Sequence, residues 1–394
     1  MRSPADGGRT ASPAGTRALF PDVPRRRGMY ESFYLRAVAP DRPAGVWIRH
    51  TVHKPPRRVP RGAVWCTVWD GDAPPFMHKL ATDAPAAPAG EWLAVGDSRI
   101  GPGGGEGACG QARWSLRFAS AEPPLRHLPH ELLYRAPLPR TKLTSPLPAA
   151  RFEGTLRLSG RTIELDGWRG MVGHNWGAQH AERWVWLHGI DFAEQSDAWI
   201  DVAIGRVRVA GRATPWIANG AISLDGERLR LGGLGARGLL VAERPAHCVL
   251  TIPGADGLRV EAHVQAPAAA LAGWRYADPK VGGDHGRPPD GAEWEERRLD
   301  GARWAERRLD GAEWEERRPD GEERRPDESR PKGLGPAGRR AEHDVSNCSI
   351  AALTLVVRRP GRPARTLRSA HGAAYELGMR EHNHGVPLAP FGDG

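Results

Sequence analysis

Residues 167–191, GWRGMVGHNWGAQHAERWVWLHGID, decide how the rest of the chain is read. They hold four of the fifteen tryptophans and three of the fifteen histidines. Gly167, Gly170 and Gly173 lead into a compact polar and aromatic group, His174-Asn175-Trp176-Gly177, and after a short loop an alternating run begins at Arg183. Successive side chains of an extended strand point to opposite faces. Trp184, Trp186 and His188 therefore share one face, and Val185 and Leu187 the other. Such a strand is a wall, and two readings of the wall compete. Tryptophan and histidine can simply fill a core with their polar atoms satisfied. Alternatively, indole faces line a cavity for an apolar, unsaturated ligand, and His174 or His188 gives or takes a proton.

Working outward, short extended segments alternate with turns and long helical periodicity is absent. Residues 33–38, 46–53, 63–70, 91–95 and 111–120 combine β-branched or aromatic residues with polar alternation. Lys54-Pro55-Pro56 and the glycine run at 101–105 are turn chemistry; the run lacks the Lys-Ser/Thr and the helix of a phosphate loop. The proline-rich stretch 125–148 reads as a connector. Beyond it, 152–159 and 162–165 form a hairpin that delivers the chain to the central stretch. Strands continue at 198–204, 216–223, 228–231, 247–252, 258–264, 349–357 and 366–377, with tight turns at Asp225-Gly226 and Asp256-Gly257. This predicts an all-β protein, a sandwich or a barrel. In 64–69, Trp65, Thr67 and Trp69 share one face, while Val64, Cys66 and Val68 share the other. A strand apolar on both sides is packed on both sides.

Asn175-Trp176-Gly177, followed after six residues by Trp184-Val185-Trp186, resembles the Asn-Trp-Gly and Trp-aromatic-Trp segment of tocopherol cyclases. More loosely, the stretch is similar to the carotenoid hydratases (hydroxyneurosporene synthases) of the same lipocalin-like superfamily. Further support comes from the opening strand Tyr30-Glu31-Ser32-Phe33-Tyr34-Leu35 and the closing Tyr375-Glu376-Leu377. The resemblance implies two consecutive lipocalin-like β-barrel or sandwich halves and a hydrophobic, isoprenoid-like ligand. Its chemistry would be protonation of a double bond, with the cation captured by water (hydration) or by an internal hydroxyl (cyclisation). On that reading His174 is the proton donor and Asn175 holds it or a water. Asp191 is the acid or, like Glu182, orients a histidine. Trp176, Trp184, Trp186, His188, Trp65 and Trp69 line the pocket. One departure matters, because a charged pair precedes Asn-Trp-Gly in the cyclase pattern, whereas Gly173-His174 stands here. Neutral histidine is also a poor acid toward an alkene, so a non-catalytic carrier of a hydrophobic ligand is the alternative. A purely structural protein is the third class.

The expected organisation is a disordered arm over 1–28, a first half over 29–182 and a second half over 183–390 interrupted by an insertion at 280–342. The insertion holds near-identical ten-residue copies starting at Gly291, Gly301 and Gly311 and a degraded one at Gly321. From 290 to 330 it carries 15 acidic residues and 10 arginines, which reads as a solvated loop whose closure cost grows slowly with length.

The net charge of +9 does not argue for nucleic acid. Five of the 56 basic residues are lysines, leaving 51 arginines spread along a Gly-, Pro- and Ala-rich chain with no dense basic run or recognition motif. Four cysteines stand far apart without a Cys-x-x-Cys pair, so neither a disulfide framework nor a zinc ribbon is expected. Glu381-His382-Asn383-His384 lacks spaced partners, and no metal site is expected. Nothing resembles a nucleotide, flavin or haem site, so no cofactor is expected either. The first thirty residues contain no apolar run long enough for a signal peptide or membrane span, which implies a cytoplasmic location. A barrel that handles lipids can still touch a membrane surface transiently.

Overall fold

The computed structural model describes residues 15–71, 73–82, 84–209, 212–279, 342–380 and 384–389. Its secondary structure is almost wholly β, organised as two curled, barrel-like sheets whose strand ladders are antiparallel, with one short helix at Glu131–Arg135. No helix of the described residues is long and apolar enough to cross a membrane.

Residues 167–191 supply an inner strand to each sheet. Trp168–Gly177 lies in the first, between Met29–Val38 and Thr141–Leu158. Arg183–Gly189 lies in the second, between Trp199–Arg206 and Arg365–Met379. Only residues 178–182 join them. The opening and closing strands are thus the direct partners of the central stretch, with Tyr30 opposite Gly177 and Leu187 opposite Tyr375. Pairing the two ends of the chain with its middle makes each sheet curl. In the second sheet Leu231 bridges to Gly254. In the first, the Cys109 thiol reaches across to the carbonyls of Val64 and His78.

Strand alternation sorts the side chains into two cores. Phe33, Leu35, Ala37 and Val172 fill the first sheet, whereas Tyr34 and Met171 face Trp186 of the second. Val64, Cys66 and Val68 also fill the first core. On the opposite face of the same strand, Trp65 and Trp69, with Trp47 beside them, join the core of the second sheet. Trp69 Nε1 donates to the Ala270 carbonyl at 2.7 Å, and the Trp65 and Trp274 rings meet edge to face at 5.1 Å. The wall is packed on both sides, by its own barrel and by the neighbouring one. Truncating one such indole to alanine costs on the order of 3–5 kcal/mol. All four cysteines are buried and unpaired. Burial pushes the thiols of Cys109, Cys248 and Cys348 up to about 12, which makes them inert small hydrophobes.

Three local readings differ from what the sequence suggests. The proline-rich stretch is a connector only as far as Arg140: Thr141–Leu158 is one long strand. It accommodates Pro146 and Pro148 because its register against Trp168–Gly177 shifts between Thr144 and Leu147 and again between Leu147 and Ala150. At such irregularities a missing N–H leaves no ladder bond unmade. The glycine run is a turn only at its start, since Gly104–Cys109 is a strand. Of the expected arm, the described part, residues 15–28, is seated on the first sheet. Ala18 and Phe20 are buried, the main-chain N–H groups of Leu19 and Phe20 donate to the Glu31 carboxylate at 2.8–3.0 Å, and Lys54 Nζ donates to the carbonyls of Phe20 and Val23. One Leu-Phe pair and two buried charges suffice to seat this segment.

The repeat-bearing insertion lies outside the described residues, except at its edges. Ala277 stands opposite Glu342 in an antiparallel ladder, so the insertion occupies a hairpin connection.

The two sheets are tied by Arg36, a fully buried guanidinium. Its Nη1 donates to His188 Nδ1 at 2.8 Å and to the Gly372 carbonyl at 3.1 Å, and its Nη2 to the Ser349 carbonyl at 2.9 Å. Replacing it by methionine removes the donor to His188 Nδ1 and to the Ser349 carbonyl, while the Gly372 carbonyl keeps the Ile190 N–H. Arg36→Met should lower the unfolding free energy by about 3–5 kcal/mol in a guanidinium titration. Arg36→Lys should recover only part of this, because an ammonium lacks the planar fork.

Candidate functional site

The sequence-derived site residues fall into separate neighbourhoods. His174 Nε2 donates to Glu31 Oε1 at 2.8 Å, and its ring stacks on Phe33 at 4.0 Å and on Trp176 at 4.5 Å. It therefore belongs to the end of the first barrel, beside the seated N-terminal segment. Asn175 accepts a short hydrogen bond from Ser32 Oγ. Asp191 is at the other end of the strand, where its carboxylate accepts from Arg169 Nη1 at 2.7 Å. Arg169 precedes His174 by five residues, roughly 16 Å of strand. His174, Asn175 and Asp191 are not brought together as one catalytic group. Asp191 has φ +55°, as a left-handed turn residue, and its pairing with Arg169 holds that turn. Glu182 pairs with Arg208 and Arg380 at 2.8 and 3.1 Å, so it orients arginines and not a histidine.

Trp186 and His188 face the first sheet, as alternation requires, but both are committed to the interface. The Pro148 carbonyl accepts from His188 Nε2 at 2.9 Å while Nδ1 accepts from Arg36, which fixes a neutral tautomer. Burial, and then the Arg36 charge, push its pKa down to about 4. Trp186 Nε1 donates to Asp201 Oδ1 at 3.0 Å, Ser145 Oγ donates to Oδ2 at 2.5 Å, and His127 Nε2 lies 3.2 Å from Oδ1. Burial alone would raise the Asp201 pKa; the His127 charge and these hydrogen bonds outweigh it and hold the carboxyl at about 2.

The open chemistry lies at the other end of the interface. A cleft between the sheets is lined by Tyr30, Arg49, Trp65, Lys79, His180 and Tyr276, and encloses about 50 Å³, room for a few water-sized groups. Lys79 Nζ sits over the Trp65 ring at 4.1 Å, and the Arg49 guanidinium over the Tyr276 ring at 4.2 Å. Tyr30 stacks on His180 at 3.9 Å and donates from its hydroxyl to Thr141 Oγ1 at 2.9 Å. The main-chain N–H of His180 donates to Asp278 Oδ1 at 2.7 Å, and its Nδ1 lies 2.9 Å from the same oxygen. Burial opposes the charge on Asp278, but these bonds from His180 outweigh it and the carboxyl stays below its ordinary value. Beside this pair, Glu376 accepts from Trp184 Nε1 at 2.8 Å, Tyr276 Oη at 3.1 Å and Asn347 Nδ2 at 3.3 Å. Burial raises the pKa of both Tyr30 and Tyr276, so each keeps its proton and serves as a donor.

Of the sequence-derived residues, Trp65 lines this cleft and Trp184 borders it through Tyr276 and His180, with ring separations of 6.2 and 5.8 Å. Trp69 and Trp176 do not. Arg49, Lys79, His180, Tyr276, Asp278 and His343 escape sequence reasoning. His180 lies inside the quoted stretch but in a loop with no periodicity to aim it. Asp278 and His343 flank the insertion and carry no local spacing signal.

Fold and site together define an all-β protein of two curled, barrel-like sheets with a polar and aromatic cleft between them. The chain matches no protein-family model. Over 192 residues it is 30% identical to uncharacterized proteins Rv0493c (strain H37Rv) and MT0513 (strain CDC 1551) of Mycobacterium tuberculosis. That alignment covers 46% of this chain and 58% of each relative, little more than half their length. Among solved structures, CghA with Sch210972 superposes with a TM-score of 0.51 at 12% identity, over 95% of this chain and 97% of CghA. A putative AttH from Nitrosomonas europaea gives 0.47 at 10% identity, over 94% and 99% of the two chains. Kievitone hydratase from Nectria haematococca gives 0.46 at 8% identity, over 94% of both. At 12% identity the likeness to CghA is one of fold.

The buried histidines set a pH response. His50, fully buried in the first barrel with neither ring nitrogen hydrogen-bonded, is pushed by burial down to about 3. Below the ordinary histidine pKa near 6.5 the unfolded chain takes up a proton that folded His50 refuses, so stability falls as pH drops from about 6.5 toward 3. The slope is about 1.4 kcal/mol per pH unit for each such histidine. Urea unfolding at pH 7 and pH 5 should show this loss, and His50→Leu should reduce the pH 5 penalty while changing pH 7 stability far less.

Proposed function

We propose that the protein binds a hydrophobic small molecule bearing an acidic or carbonyl oxygen in the cleft between the two sheets. The observation that supports this most directly is the pairing of cations with aromatic faces: Lys79 over Trp65 and Arg49 over Tyr276. Flat apolar surface suits the rings, and an oxygen anion suits the ammonium and guanidinium beside them. A long prenyl chain exceeds the enclosed 50 Å³; it would lie along the mouth of the cleft or part the walls. The finer reading is hydration or cyclisation of the bound molecule, with proton transfer at the polar end where Tyr30, His180 and Tyr276 gather. The similarity in fold to CghA, whose crystal structure contains Sch210972, agrees with a ligand-holding role.

The test is a tryptophan-fluorescence titration with polyprenyl quinols, carotenoids and fatty acids, with product masses read from the same samples. Saturable quenching is expected. Arg49→Met should weaken binding of an acidic ligand about 10- to 100-fold, the scale of one charged hydrogen bond, while Trp176→Phe, outside the cleft, should leave it unchanged. A mass gain of one water identifies a hydratase and an isomer a cyclase. Quenching without product identifies a carrier, and absence of quenching across the panel overturns the reading.

A further inference from the structure

At the edge of the cleft, behind Tyr30 and Tyr276, three side chains with metal-binding atoms converge: His180, Asp278 and His343. One ligand atom from each lies within 4.8 Å of the others. We propose that this cluster binds a divalent transition-metal ion of the zinc type. The proposal deepens the reading of the cleft, but binding of the ion itself does not depend on what organic ligand the cleft takes.

The hydrogen-bond inventory is the first support. Nε2 of His180 and a ring nitrogen of His343 are buried without a hydrogen-bond partner, the Ala181 main chain being the one group that meets the His343 ring, and His343 is fully buried. Native structures rarely leave such atoms together unless a water or an ion satisfies them. The donor set is the second. Two imidazoles and one carboxylate suit zinc, cobalt or ferrous iron, whereas calcium and magnesium ask for oxygen ligands. A third support is the scaffold. His180 comes from the connector between the sheets. Asp278 directly follows the Ala272–Ala277 strand, and His343 sits opposite Tyr276 in the ladder that this strand forms with Glu342–Arg358. Two of the three ligands are steadied from behind: Tyr30 stacks on His180, and Arg380 Nη2 donates to Asp278 Oδ2 at 3.1 Å, leaving Oδ1 toward His180. Such outer contacts orient metal ligands.

The spacing is within reach of a bound state. Ligand atoms about 2.0–2.2 Å from a tetrahedral ion stand roughly 3.3–3.5 Å apart, so a side-chain rotation suffices to close the set. Three protein ligands leave one tetrahedral position unfilled, the arrangement of sites that act on a fourth, exchangeable ligand.

The experiment is a titration of chelator-dialysed, full-length protein with Co²⁺, followed by visible absorption, and then displacement by Zn²⁺. One equivalent of cobalt should give d–d bands, one equivalent of zinc should abolish them, and the melting temperature should rise with zinc concentration. Asp278→Asn and His180→Gln should each weaken cobalt binding at least 10-fold. His343→Ala removes a fully buried ring, so His180→Gln, nearer the edge, is the variant that keeps the test independent of folding. Absence of stoichiometric bands in folded protein overturns the proposal, as does binding that neither variant weakens. Fluorescence titration of the same metal-free sample with the hydrophobic panel separates the two readings. Quenching without metal uptake overturns only the ion; metal uptake without quenching overturns only the organic ligand.

Discussion

A full positive charge at the seam between two β-barrels constrains the rest of the structure. Arg36 has no carboxylate among its hydrogen-bond partners; its charge is solvated by two main-chain carbonyls and the lone pair of His188. Each partner must then be held where the guanidinium needs it. His188 must be neutral with its proton on Nε2, which requires the Pro148 carbonyl. Pro148 presents that carbonyl because the Thr141–Leu158 strand is irregular there. The Ser349 and Gly372 carbonyls come from the two longest strands of the second sheet, near the register shift that separates Cys348 from Ala351. A desolvated ion costs so much when unpaired that these local irregularities become mutually dependent. The seam is thereby specified in register, which apolar packing alone would leave freer to slide.

With one end of the seam locked, the other end is available for function. Near Arg36, the polar groups of Trp186, Asp201 and Ser145 satisfy one another, and His188 is pressed into the neutral form. About the cleft the pattern is different. Rings are stacked, cations lie over aromatic faces, and several buried nitrogens stand without partners. The contrast lies in which groups are stacked and open to the cleft, and not in unsatisfied polarity, since Arg36 Nε and Ser349 Oγ are also buried without partners.

The sequence shows one side of this arrangement well. The period of two places Trp184, Trp186 and His188 together, and Trp65 with Trp69, and both faces are as alternation demands. It cannot show what lies across from a face. Trp65, Trp69 and Trp186, which read as pocket lining, instead meet the neighbouring sheet, whereas Trp92, Trp114 and Trp168 pack inside the first barrel with Trp176 against them. His174 lies away from the cleft for a related reason: its strand position faces Phe33 and Glu31, and no local feature distinguishes an inward histidine from one at the seam. Asp191 adjoins the alternating run in sequence, yet a left-handed turn carries it to Arg169, away from His174. The fold class was legible because it depends on local periodicity and turns; the cleft was not, because it depends on residues 30, 49, 65, 79 and 276 meeting across the sheets with His180 of the connecting loop.

The position of the insertion follows from the same ladders. An insertion is tolerated where chain ends already stand side by side, and Ala277 and Glu342 do. That hairpin end is also where Asp278 and His343 sit, one residue beyond and within the paired strands. The two ends of that connection are held by the same pairing that aligns the walls of the cleft. Loop-closure entropy rises only slowly with length once the ends are held, so the ladder from Ala272 to Ala277 bears the cost of closure and the cluster behind Tyr276 keeps its geometry whatever the length of the connection.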